Sequence, residues 1–200
     1  MKLIYLSLGC LLMALVSACS SPSHAADPPS PSAPASTTAP ADPYAVPRVI
    51  TVAYVNSVLK ALFSVYGNAT RSLVAAHALT PSVEADLRAM YLSPFYEDQI
   101  RAAEISLQGA ISNVRTPPGN PDVTVERLLA TSSTCIFIQT KTDLAAVLKE
   151  STPSAASEYY ELALKPPSID PRDLNPTPWA IGFNVAYQTP TRATDPCGKQ

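Results

Sequence analysis

Proline placement constrains this chain more than any other feature. It has 21 prolines in 200 residues, and eight of them fall between Ser20 and Pro47. That stretch is made almost wholly of Ser, Pro, Ala and Thr, with Asp27 and Asp42 as its two charges and no Lys or Arg. A segment with so few apolar residues to bury cannot repay the entropy of folding. It therefore reads as a disordered or polyproline-like tether. It would span about 30 Å as a coil and about 85 Å when extended. The remaining 13 prolines rule out an all-helical bundle, because proline inside a helix removes a hydrogen bond and clashes with the preceding turn. Residues 48–200 are the right size for one domain with a workable core.

Upstream of the tether, Met1-Lys2 is followed by an apolar run, Leu3 to Val16, and then small residues. The run is too short for a spanning helix and reads as a secretory signal. Val16-Ser17-Ala18-Cys19 resembles the bacterial lipobox, in which the cysteine is acylated and the chain is cut just before it. That resemblance implies a signal peptide at 1–18, a lipidated Cys19, a tether at 19–47, and a position at the cell membrane on its extracytoplasmic face. The alternative is an ordinary signal peptide in which Cys19 is incidental. Of the four cysteines, Cys10 would leave with the signal and Cys19 would carry lipid. Cys135 and Cys197 remain, in a compartment that permits disulfides, and a bridge between them is expected. Two separate thiols are the other possibility.

Charge excludes further classes. Charged residues make up 15% of the chain and the formal net charge is −2. The domain itself carries 13 Lys and Arg against 14 Asp and Glu. No basic surplus exists to neutralise phosphates, so a nucleic-acid partner is not expected. No metal site or cofactor is expected either. His77 is the one histidine of the domain, and with two cysteines it cannot fill a zinc shell.

Periodicity then predicts the elements. Val49, Val52, Ala53, Leu59, Leu62, Phe63 and Tyr66 recur at helical spacing, with a break or kink expected at Gly67-Asn68 and a second piece around Leu73, Ala76 and His77. Thr80-Pro81 and Ser93-Pro94 both look like a hydroxyl N-cap with proline in the first turn. The second of these helices would place Tyr96, Ile100, Ala103, Leu107 and Ile111 on one face, with Glu97 pairing to Arg101. Thr116 to Pro121 ends the helical half. Period two follows in four segments: Val123 to Thr131, Thr134 to Thr140, the run around Tyr160, Leu162 and Leu164, and Trp179, Ile181, Phe183, Val185 and Tyr187. Helices followed by an antiparallel meander make an α+β fold.

This element order, the domain size and the late strand Asn175-Pro-Thr-Pro-Trp179-Ala-Ile181 resemble the nuclear transport factor 2-like, or cystatin-like, fold. Taken with the N-terminus, the chain resembles the proline-tethered, actinobacterial-type lipoproteins. The resemblance implies helices packed on a curved, cone-like antiparallel sheet. It also implies a role as enzyme, ligand binder or interaction module, among which the fold does not choose. Tyr91, Tyr96, Asp98, Phe183 and Trp179 are the candidate pocket lining.

Catalytic motifs are sparse. Ser132 and Ser133 lack a Gly-x-Ser-x-Gly turn, and six scattered glycines make no phosphate loop. His77 as a base, or Asp98 with Tyr91 and Tyr96, could serve proton transfer in an isomerase or dehydratase. No catalytic residue is assigned. The expectation is a non-catalytic envelope lipoprotein. Its membrane contact is its lipid, and its partner is an envelope protein or an apolar small molecule. The alternatives are that enzyme and a scaffold in an envelope secretion or transport complex.

Overall fold

The computed structural model describes residues 45–150, 157–165, 171, 173–186 and 197. The expected signal peptide, the expected lipidation site Cys19, most of the expected tether and Tyr187 lie outside the described residues. Three helices, α1 (Val52–Ala76), α2 (Pro81–Met90) and α3 (Phe95–Leu107), precede a short 3-10 turn, Ala110–Asn113. Four strands follow: β1 (Asp122–Thr131), β2 (Cys135–Asp143), β3 (Ser157–Leu164) and β4 (Trp179–Ala186). They form an antiparallel sheet in chain order, so the α+β expectation holds.

Thr51 caps α1 by accepting a hydrogen bond from the Tyr54 amide at 3.2 Å, worth about 1 kcal/mol. Val55, Leu59, Leu62 and Phe63 form its buried stripe. The helix runs unbroken past Gly67 and ends at His77, whose φ of 47° is left-handed. The expected break at Gly67-Asn68 is thus absent. Gly67 instead allows a close approach, since a Cβ there would lie 1.9 Å from Asn120 Oδ1.

α2 begins as expected, with Thr80 accepting from the Val83 amide at 3.4 Å and Pro81 in the first turn. α3 does not begin that way. It starts at Phe95, Pro94 occupies the cap, and the Ser93 hydroxyl donates to Glu97 at 3.0 Å. Glu97 is thereby taken up, and Arg101 pairs with Asp98 at 3.8 Å instead. Ile111 belongs to the 3-10 turn and not to α3.

The core lies between α1, α2 and one face of the sheet. Ile136, Ile138, Tyr160, Leu162, Trp179 and Ile181 supply that face. Val46 and Ile50, ahead of α1, pack against it. Asn56 of α1 ties the helix to the outer strand β1 by accepting from the Val125 amide at 2.9 Å. Trp179 is fully buried, and its indole N–H donates to the Tyr54 hydroxyl at 2.8 Å. Described residues of the β3–β4 connection are held beneath it. Asn175 donates to the carbonyls of Ala89 and Trp179 at 2.9 and 2.7 Å. Lys165 pairs with Asp173 at 2.6 Å, both largely shielded from solvent. Cys135 and Cys197 are joined in a disulfide with their Cα atoms 5.6 Å apart, as the cysteine count predicted.

One register shift overturns a sequence expectation. Leu162 pairs with Ile181, but Glu161 pairs with Phe183, so Gly182 forms a bulge in β4. A bulge reverses the alternation beyond it. Phe183 therefore shares a face with Glu161 and Phe137, away from the helices, while Asn184 takes the inward position opposite Tyr160.

Candidate functional site

The five residues expected to line one pocket are not brought together around one. Trp179 is core. Phe183 is on the opposite sheet face. Tyr96 is buried, but its phenol accepts from Arg88 at 3.1 Å and the Arg88 guanidinium lies 4.5 Å from its ring centre. It therefore clamps α2 to α3. Asp98 is at the surface with its side chain 63% exposed, and His77 is exposed as well. Neither is among the residues that line the chamber described below. Tyr91 is buried in the core as well, packed edge-on against Phe95 at 5.3 Å and bridged to Ile181 of β4.

Tyr91 belongs to a group that sequence inspection missed. Glu158 opens β3 on the inward face, two residues before Tyr160. The Tyr160 hydroxyl donates to Glu158 Oε2 at 2.5 Å, and the Thr142 hydroxyl donates to the same oxygen at 3.0 Å. Thr140, fully buried, donates to the Glu158 carbonyl at 3.3 Å. Tyr66 from α1 and Tyr91 lie within electrostatic reach of the carboxylate. Burial is the main cause that pushes all three phenols above their ordinary range, and the negative charge on Glu158 adds to it. Tyr91 is also raised by Tyr66, and Tyr160 by its bond to Glu158. The phenols stay protonated at any physiological pH, and that of Tyr160 donates to Glu158. The signal available in sequence was a Glu and a Tyr two residues apart on a strand, which puts both on one face.

Beside this group lies a partly open chamber of about 200 Å³ between α1, α2, α3, the 3-10 turn and residues 147–148. Leu73, Val74, Val83, Leu87, Ala103 and Val147 make up much of its wall. Its few polar contributors are Tyr66, Thr70, Gln99 and Ser106. Tyr66 belongs both to the cavity wall and to the tyrosine–carboxylate group. An apolar chamber with a few convergent polar groups is the usual form of a small-molecule site. A shallower crevice of about 290 Å³ is lined by Pro81, Ser82, Ala85, Asp86 and Leu174. Asp86 is only 4% exposed there, and burial raises its carboxyl above the ordinary range. Among the described residues, no group of three or more His, Cys, Asp or Glu side chains is placed to hold a metal ion.

No family model, curated protein or solved structure matches this chain.

Proposed function

We propose that this chain is a lipid-anchored, extracytoplasmic binding module that takes up a small apolar molecule between its helices. The observation that carries the reading is the chamber of about 200 Å³, walled mostly by aliphatic side chains. It is roughly a third larger than an apolar cavity that accepts benzene, at about 150 Å³. The lipobox-like Val16-Ser17-Ala18-Cys19 supports the anchor, and the Cys135–Cys197 disulfide supports an oxidising compartment. The order of helices and strands is the support for grouping the domain with nuclear transport factor 2-like folds.

Calorimetric titration with 1-octanol tests the binding. Saturable uptake is expected, and Ala103→Phe, which fills the chamber, is expected to abolish it while the protein still melts cooperatively. Absence of uptake by the unsubstituted protein refutes the reading, as does full uptake by the filled variant. Incorporation of a clickable fatty acid tests the anchor. Labelling is expected to vanish in Cys19→Ala, and equal labelling of both forms rules the anchor out.

A further inference from the structure

The apolar chamber has a charged neighbour. Val74, Ile111 and Val114 line the chamber and also line a surface groove of about 660 Å³. The cations of the groove are Arg71 and Lys149, with no Asp or Glu among the described residues that line it. Arg71 donates to Asn68 Oδ1 at 2.5 Å, to Asn120 Oδ1 at 3.0 Å and to the Pro118 carbonyl at 3.5 Å. Lys149 donates to the Ser112 carbonyl at 2.7 Å. All these acceptors are neutral. Among the described residues, neither cation has a carboxylate within ion-pair distance.

These contacts hold the two side chains in place but leave their charge uncompensated. They also leave donors over. A guanidinium has five N–H groups and an ammonium three. Arg71 uses three and Lys149 one in these contacts. The carboxy-terminal end of α1, capped by His77, brings roughly half a negative charge to the same place. Two formal positive charges outweigh it. A fixed, positively charged groove sharing a wall with an apolar chamber suits a molecule that is itself divided in that way.

We propose that chamber and groove form one site for an amphiphile with an anionic head. The tail of about eight carbons occupies the chamber, and a carboxylate or phosphate head meets Arg71 and Lys149. This rests on the apolar-binding function proposed above and adds the head-group class. Arg71 suits such a head because its planar fork bonds carboxylate or phosphate oxygens in pairs.

The test compares three probes of equal tail length, namely octanoate, octyl phosphate and 1-octanol. They are titrated into the whole chain carrying Cys19→Ser, so that no acyl chain competes. At least one anionic probe is expected to bind tenfold or more tightly than the alcohol, with its advantage shrinking as salt rises. Which anion binds more tightly separates a carboxylate head from a phosphate head. Lys149→Gln is expected to cut the advantage severalfold, and Arg71→Gln more so. Because Arg71 also holds residues 118–120, the exposed Lys149 supplies the decisive variant. Equal affinity for all three probes overturns the anionic head and leaves the apolar function standing. Binding by none of them overturns both. An advantage that survives Lys149→Gln undiminished overturns the placement of the head in the groove.

Discussion

Replacing Gly67 by alanine sets two effects of known sign against each other. Gly67 is in the middle of α1, where alanine is favoured by about 1 kcal/mol. On propensity alone, Gly67→Ala should stabilise the protein. The added Cβ, however, would fall 1.9 Å from Asn120 Oδ1 and 2.8 Å from its Cγ. No real contact is that short, so the Asn120 side chain must rotate away. It then loses the bond from Arg71, now 3.0 Å long. A hydrogen bond to a charged group contributes about 1.5–3 kcal/mol. The net expectation is a loss of roughly 0.5–2 kcal/mol. Urea unfolding of four proteins decides the point: the unsubstituted chain, Gly67→Ala, Asn120→Ala and the double variant. In the Asn120→Ala background the main obstacle is gone, leaving Arg71 Nη1 at 3.3 Å, the end of a flexible side chain. There Gly67→Ala should stabilise by about 1 kcal/mol, the full propensity gain. A stabilising Gly67→Ala in the unsubstituted background, or the same effect in both backgrounds, would refute the close-approach argument.

Three further outcomes are expected. Removing the disulfide with Cys135→Ala and Cys197→Ala opens a loop of 62 residues, which costs about 4 kcal/mol in the chain-entropy model. At roughly 2–4 °C per kcal/mol, thermal melts should show Tm falling by roughly 10 °C, and an unchanged Tm contradicts the estimate. Tyr54→Phe leaves the buried Trp179 indole N–H without its acceptor and should cost about 1–3 kcal/mol in urea unfolding, whereas a loss well below 1 kcal/mol speaks against that bond. Asp86 has its folded-state pKa raised by burial, so the folded protein holds this proton more tightly than the unfolded chain and stability falls as pH rises through that window. Asp86→Asn should therefore gain on the unsubstituted protein, by on the order of 1 kcal/mol near pH 7, with the gain fading as pH drops below the ordinary value of 3.8; a gap that does not change with pH refutes the assignment.

Local chemistry made much of the helical half legible. Thr80-Pro81 is a start signal because a hydroxyl and a missing N–H both suit the first turn, and α2 begins there. Ser93-Pro94 carries the same signal, yet the hydroxyl turned to Glu97 and the helix started one residue later. A serine hydroxyl can accept from a helix amide or donate to a nearby carboxylate, and which it does is not written in the dipeptide. The strands were legible for the same local reason, since alternating apolar residues fit a half-buried pleat. All four β-segments lie close to where the alternation put them.

The candidate site was legible only in fragments. Tyr91, Tyr66 and Glu158 are spread from the first helix to the third strand, and no spacing rule joins them. Phe183 shows the difficulty most plainly. Its alternation with Trp179 and Ile181 is perfect in sequence, but the bulge at Gly182 turns it to the other face. Whether a glycine in a strand is a bulge depends on the partner strand, here on the Glu161–Leu162 step of β3.

By itself the sequence determined the α+β order of elements and the pairing of Cys135 with Cys197. Each follows from composition, short-range periodicity or counting, which need no knowledge of what lies across the chain. Tertiary structure alone decided that α1 stays whole at Gly67, that Glu158 gathers its tyrosines, and that an apolar chamber shares its wall with Arg71 and Lys149. These depend on distances between residues far apart in sequence, such as the approach of Asn120 to Gly67. Packing sets those distances, and packing is a property of the whole fold.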